Sequence, residues 1–244
     1  MSKKDSFLSK LGKENNIIKL SLIVNIIVAI LAMGACIIMY TGFKFMQGYE
    51  PLVETKSFSM LRFFTVDSNI FVAIVSLIFA IQEFKLLKGK INEIPTKTYI
   101  LKLMATTGVG LTFLVVFIYL GPISVGGLPS MLRNSNLFFH LVIPVLSMLN
   151  FTILERTDKI KFKYAFCGII PTALYGVYYL TNIFIHMENG NVSPLYDWYW
   201  FVQNGVWTAI IVVPILFSIS YIICLVLWRL NKRSDKKWKT IYTE

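Results

Sequence analysis

A threonine hydroxyl attacks an ester only after a base has taken its proton, and a neutral imidazole is the usual base near pH 7. The chain carries both parts in apolar surroundings: Thr65 in RFFTVDSNIFVAI, Arg62 to Ile74, and His140 in NLFFHLVIPVLSML, Asn136 to Leu149. A developing oxyanion needs donors, and the amides of Asn69, one turn from Thr65, or Asn136, one turn from His140, can supply them. Ser68 shares a helical face with Thr65 and Asn69, whereas Asp67 is rotated from Thr65 by about half a turn. Asp67 therefore addresses another neighbour or braces the site from behind. Each residue also has a plainer use. A membrane Thr commonly bonds the carbonyl of the preceding turn, and amides often serve as interhelical glue. His140 has the weakest plain alternative, because a titratable ring below the membrane interface is an expensive way to fill space.

Other chemistries lack their residues. Two His and no HExxH or paired-Cys spacing offer no recognisable zinc site, and no Walker loop, GxGxxG, GxSxG or heptad seam is present. No cofactor is expected. Cys36, Cys167 and Cys224 fall in apolar runs and read as small core residues.

The elements that must position the pair are membrane helices. The chain is 56% hydrophobic and only 15% charged, against about 25% charged in a soluble domain. Six runs can each cross roughly 30 Å of hydrocarbon: about Ile17 to Phe43, Phe63 to Ile81, Leu103 to Val125, Asn134 to Leu154, Tyr164 to Ile185 and Trp198 to Trp228. The expected fold is an all-α integral membrane protein, a single six-helix bundle over residues 1–244 with short basic termini. A cleaved signal sequence ending near Cys36 is disfavoured, since the apolar run continues to Phe43. Pro144, Pro171 and Pro214 lie inside spans and read as packing kinks.

The net charge of +11 is a topology signal rather than a nucleic-acid footprint. Twenty of the 24 Lys and Arg residues fall on one side, in the termini, the loop Lys85 to Lys102 and the loop Arg156 to Lys163; Lys44, Lys56, Arg62 and Arg133 fall on the other. Both termini are thus expected in the cytoplasm, with anionic lipid head groups as partners of the basic loops. In that frame Thr65, His140, Asn182 with His186, and Gln203 with Asn204 occupy one layer of the outer leaflet on four helices. His140 lies about six residues below the start of its span, or roughly 9 Å. His186, beside Glu188, reads as a solvated interfacial side chain, and YDWYWF, Tyr196 to Phe201, as an aromatic belt.

The two motifs around Thr65 and His140 resemble the second and fourth spans of the androgen-induced and androgen-dependent TFPI-regulating membrane proteins, and more closely their uncharacterised microbial relatives. The resemblance follows six spans in order but is specific over only about thirty residues. It implies that Thr65 and His140 form an active pair that hydrolyses fatty acid esters of hydroxy fatty acids within the membrane, and that the chain sits in a microbial plasma membrane. HMENGNVSPLYDW, His186 to Trp198, matches the family's corresponding segment loosely and is expected to shape substrate access.

Two functions follow. The first is a lipid-ester hydrolase, or acyl transferase, with Thr65 as nucleophile, His140 as base, and Asn69, Asn136, Ser68, Asp67, Asn182 and Asn204 in support. The second is a small transporter or proton-coupled permease using Asp67 and His140, set back by the absence of visible inverted repeats and of charges deeper in the bilayer.

Overall fold

The computed structural model describes residues 3–47, 56–202, 205 and 207–243, with backbone only at 3–11 and 241–243. Six helices are long and apolar enough to cross a membrane: α1 Gly12–Thr41, α2 Phe64–Leu87, α3 Thr96–Ile123, α4 Ser135–Leu154, α5 Phe162–Ile185 and α6 Trp207–Thr240. In hydrocarbon a backbone must satisfy its own polar groups, and helices do so within the segment. The remaining described structure is short, including a 3-10 turn at Ser57–Arg62 and a hairpin pairing Met187–Glu188 with Asn191–Val192. Asn189 and Gly190 close that hairpin at φ 51° and 78°, the left-handed pair that a two-residue turn requires.

The core packs α1 through α4 together. Val28, Ala32 and Ala35 of α1 meet Val66, Val72 and Val75 of α2, Ala105 and Val109 of α3, and Phe139 and Ile143 of α4. α3 is the most buried span and α6 the least, with Trp207, Ile210 and Ile211 on an exposed apolar face. Small residues allow α5 and α6 to approach closely. A Cβ placed on Gly168 would lie 2.4 Å from the Cβ of Cys224.

The helix ends correct the sequence reading. α2 runs through Leu87 rather than ending at Ile81, α3 begins at Thr96 rather than Leu103, and α6 spans Trp207–Thr240 rather than Trp198 to Trp228. Charged side chains marked the expected ends, but Glu83 and Lys102 lie inside helices because partners on other spans receive them. Lys102, counted above with a basic loop, is fully buried in α3. Charged side chains are thus buried between the spans toward their basic end.

Three wide turns, with hydrogen bonds spaced five residues apart, interrupt α3 and α4 at Val116–Leu120, Phe138–Val142 and Asn150–Leu154. The second has a local cause. Pro144 has no N–H to offer the carbonyl of His140 four residues earlier, so the ladder widens there.

Candidate functional site

Thr65 sits in the first turn of α2, whose leading N–H groups need outside partners. Tyr199 supplies one: its hydroxyl accepts from the Phe64 N–H at 2.9 Å. Thr65 is half-buried, and its hydroxyl meets no hydrogen-bond partner among the described residues. Its carbonyl accepts from Ser68 Oγ at 3.1 Å and from Asn69 Nδ2 at 2.7 Å.

Asn69 joins the two motifs. Its Nδ2 also donates to the carbonyl of Phe139 at 3.2 Å, tying the first turn of α2 to the wide turn of α4 that holds His140. Both amide hydrogens are thereby engaged on backbone carbonyls, so Asn69 does not offer the free donor expected of it. Its Oδ1 is buried with no partner.

His140 is buried, with 6% of its surface exposed, and its Nδ1 lies 2.7 Å from the carbonyl of Met131. A carbonyl only accepts, so Nδ1 carries the proton of the neutral ring and Nε2 keeps its lone pair. No described residue bonds Nε2. The ring is held in the tautomer that a general base needs, one residue beyond the carbonyl that Asn69 ties to Thr65. Among the described hydrogen bonds none links Thr65 directly to His140.

A cavity of about 340 Å³ opens against the same α2 turns. It is lined by Phe64, Asp67, Ser68 and Phe71 of α2, Met104 of α3, and Ile170, Pro171, Leu174, Tyr175 and Tyr178 of α5. Asp67 thus faces spans three and five, as its rotation away from Thr65 implied. Thr65 and His140 are not part of this lining, so this cavity is not the one expected to hold both; Thr65 lies on the same α2 turns as its lining residues Phe64, Asp67 and Ser68. Ser68 reaches both α2's own turn and α3, where its Oγ lies 3.1 Å from Thr112 Oγ1.

The other expected residues scatter. Asn136 is half-buried, with no side-chain hydrogen bond among the described residues. Asn182 donates to the carbonyl of Tyr196 at 2.9 Å and so shapes the loop after α5. His186 bonds the Asn182 carbonyl through Nδ1 and stacks on Tyr196 with ring centres 3.6 Å apart. Gln203 and Asn204 lie outside the described residues.

The YDWYWF segment is more than a belt. Asp197 is fully buried, accepts from the backbone N–H groups of Phe201 and Val202 and from the hydroxyl of Tyr179, and so folds the segment inward. Trp198 donates to Tyr175 Oη at 3.0 Å, and Tyr175 donates to the carbonyl of Arg62 at 2.6 Å. These bonds clamp the mouth of the cavity and the start of α2. Burial pushes the Tyr199 phenol up to about 12, so it stays neutral through ordinary pH. Tyr199 was missed because aromatic residues near a span end look alike in sequence.

A second polar group was also missed, toward the basic end of the bundle. Asn25, Glu83, Lys102, Asn150 and Glu155 are all buried and bonded together across α1 to α4. A signal existed in the helical spacing of Ser76 with Glu83 and of Lys102 with Thr106, but it straddled the assumed span ends. Among the described residues, no three His, Cys, Asp or Glu side chains form a group that could hold a metal ion.

Six apolar helices enclosing buried polar layers define a multi-pass integral membrane protein of the all-α class. No family model, characterised protein or solved structure matches the chain.

Proposed function

We propose that the protein is a membrane-embedded hydrolase of fatty acyl esters in which Thr65 is the nucleophile and His140 its base. The observation that carries this reading is the His140 tautomer: Nδ1 is fixed on the Met131 carbonyl, Nε2 is left without a partner among the described residues, and the neighbouring Phe139 carbonyl is tied through Asn69 to Thr65. Resemblance of the two motifs points to the same pair and to esters of hydroxy fatty acids as substrates.

Nε2 takes the Thr65 proton as Oγ attacks the ester carbonyl carbon, and the imidazolium returns that proton to the departing alkoxide. Water then releases the acyl group from Thr65, with His140 again as base; another hydroxyl in its place would make the reaction acyl transfer. With Asn69 engaged, Asn136 is the remaining side-chain amide for the oxyanion. The apolar cavity beside Phe64 suits an acyl chain, and Asp67 at its wall suits a polar substituent on that chain. Substrate binding must bring Oγ and Nε2 into reach, since catalytic hydrogen bonds often tighten only in the complex.

The test is turnover of a fatty acid ester of a hydroxy fatty acid by purified protein beside Thr65→Ala and His140→Ala. Both variants are expected to lose most turnover. Thr65→Ala should keep near wild-type stability, whereas His140→Ala also loses the buried bond to Met131 and should melt lower, so its turnover is read on folded protein. Full turnover in Thr65→Ala sinks the nucleophile assignment.

A proton-coupled permease is the second reading, favoured by Asp67 in the cavity wall and by the ionisable groups buried toward the basic end. Counterflow in proteoliposomes that Asp67→Asn abolishes and Thr65→Ala spares would put it first.

A further inference from the structure

The polar group toward the basic end has a charge imbalance and a donor imbalance that share one remedy. Lys102 Nζ donates to Asn25 Oδ1 and to Ser76 Oγ at 2.7 Å, and lies 3.3 Å from Glu155 Oε1. Asn25 Nδ2 donates to Glu83 Oε2 at 3.1 Å and to Glu155 Oε1 at 2.8 Å, so one amide couples the two carboxyls. Glu83, Lys102 and Glu155 are 2%, 0% and 3% exposed. With all three ionised, two negative charges face one positive charge, and an uncompensated buried charge is costly.

The donors are also unevenly placed. Glu155 Oε1 receives Asn25, Lys102 and Asn150 Nδ2, the last at 2.7 Å, while Glu155 Oε2 is buried and meets no donor. Asn150 Oδ1, on the amide already bonded to that carboxyl, is likewise buried without a donor. A proton on Oε2 turns one bare acceptor into a donor, allows an acid–amide pair with the Asn150 amide already bonded to this carboxyl, and brings the group to neutrality.

We propose that Glu83 and Glu155 together bind one proton, making this cluster an occluded proton-binding site in the basic half of the bundle. The site uses neither Thr65 nor His140 and stands independently of the hydrolase reading. Glu83 lies one turn before the end of α2, which gives the proton a short way to solvent. Among the described residues, Tyr99 of α3 is the further titratable group coupled to both carboxyls; Arg156 after α4 and Asp235 of α6 face Tyr99 in turn, and Asp235 is bonded to Lys239 at 2.8 Å.

Infrared difference spectroscopy on the purified protein, with isotope-labelled glutamate to separate Glu from Asp, reads the proton directly. Wild type is expected to show one protonated Glu carboxyl at neutral pH that shifts on deuteration and disappears at alkaline pH. Glu83→Gln and Glu155→Gln should each lose this band, because Gln replaces the protonated partner and Lys102 keeps the other carboxyl ionised. The double variant should be less heat-stable than either single one, with Lys102→Met restoring it. Absence of a protonated Glu in wild type, a measurement that needs no variant to fold, overturns the proposal. So does its persistence in either single Gln variant.

Discussion

At the scale of residues, the roles of Asn69 and His140 divide along their hydrogen bonds. His140 has one nitrogen spent on Met131 and one without a partner among the described residues, while Asn69 spends its donors holding two carbonyls. Asn69→Ala should therefore act first on stability. It strands the buried Phe139 carbonyl, a loss of about 1–3 kcal/mol, and it should lower the melting temperature as well as turnover. A variant that melted like wild type but turned over slowly would return Asn69 to the oxyanion. Under the proposed hydrolase reading, the turnover losses of Thr65→Ala and His140→Ala should be strongly non-additive, because groups that act as a pair are lost together. Turnover of the double variant far below either single one would separate their roles.

Among elements, the informative contacts are those where one segment completes another. Tyr199 caps α2 from a segment more than a hundred residues away in sequence, and its raised phenol sets a sign for alkaline behaviour. The unfolded phenol titrates at about 10 and the folded one at about 12. Folding thus retains the proton in that window, and stability falls as pH rises through it. Tyr199→Phe should show a shallower loss of melting temperature over the same range, together with a lower starting stability from the uncapped Phe64 N–H. An unchanged alkaline slope would count against the burial of this phenol. The crossing of α5 and α6 gives a steric test. Gly168→Ala drives a methyl into Cys224 and should destabilise by about 1–3 kcal/mol, the usual cost of overpacking. A melting temperature equal to wild type would show that the crossing can open without cost.

For the whole molecule, the unequal charge of the two ends of the bundle predicts which compartment each polar layer addresses. Lys159 bonds Glu93 at 2.7 Å and Lys239 bonds Asp158 at 2.7 Å, linking the loops and the last helix at the basic end. The hairpin around Asn191 and the folded YDWYWF segment lie at the other end. The charge bias predicts that the basic end is cytoplasmic. A Cys at exposed Asn191, in a background without Cys36, Cys167 and Cys224, should react with an impermeant reagent from outside intact cells. Reaction only after the cells are opened would invert the orientation and place the Thr65 layer toward the cytoplasm.

The sequence by itself determined the class of protein, the number of spans and the proximity of Thr65, Ser68 and Asn69 on one helical face. Those features follow from hydropathy and from a 3.6-residue period, both of which are local. It also separated Asp67 from that face, and the structure turns Asp67 toward the cavity between α2, α3 and α5. Only the tertiary structure decided that Asn69's donors are engaged, that Met131 orients His140, and that Tyr199 reaches Phe64. Each is a bond between groups on different segments, and their geometry depends on how helices rotate and cross. The Glu83–Lys102–Glu155 cluster shows the same limit most clearly. Counted along the chain its members look like the solvated ends of spans; three helices must meet before their charges become one another's solvent.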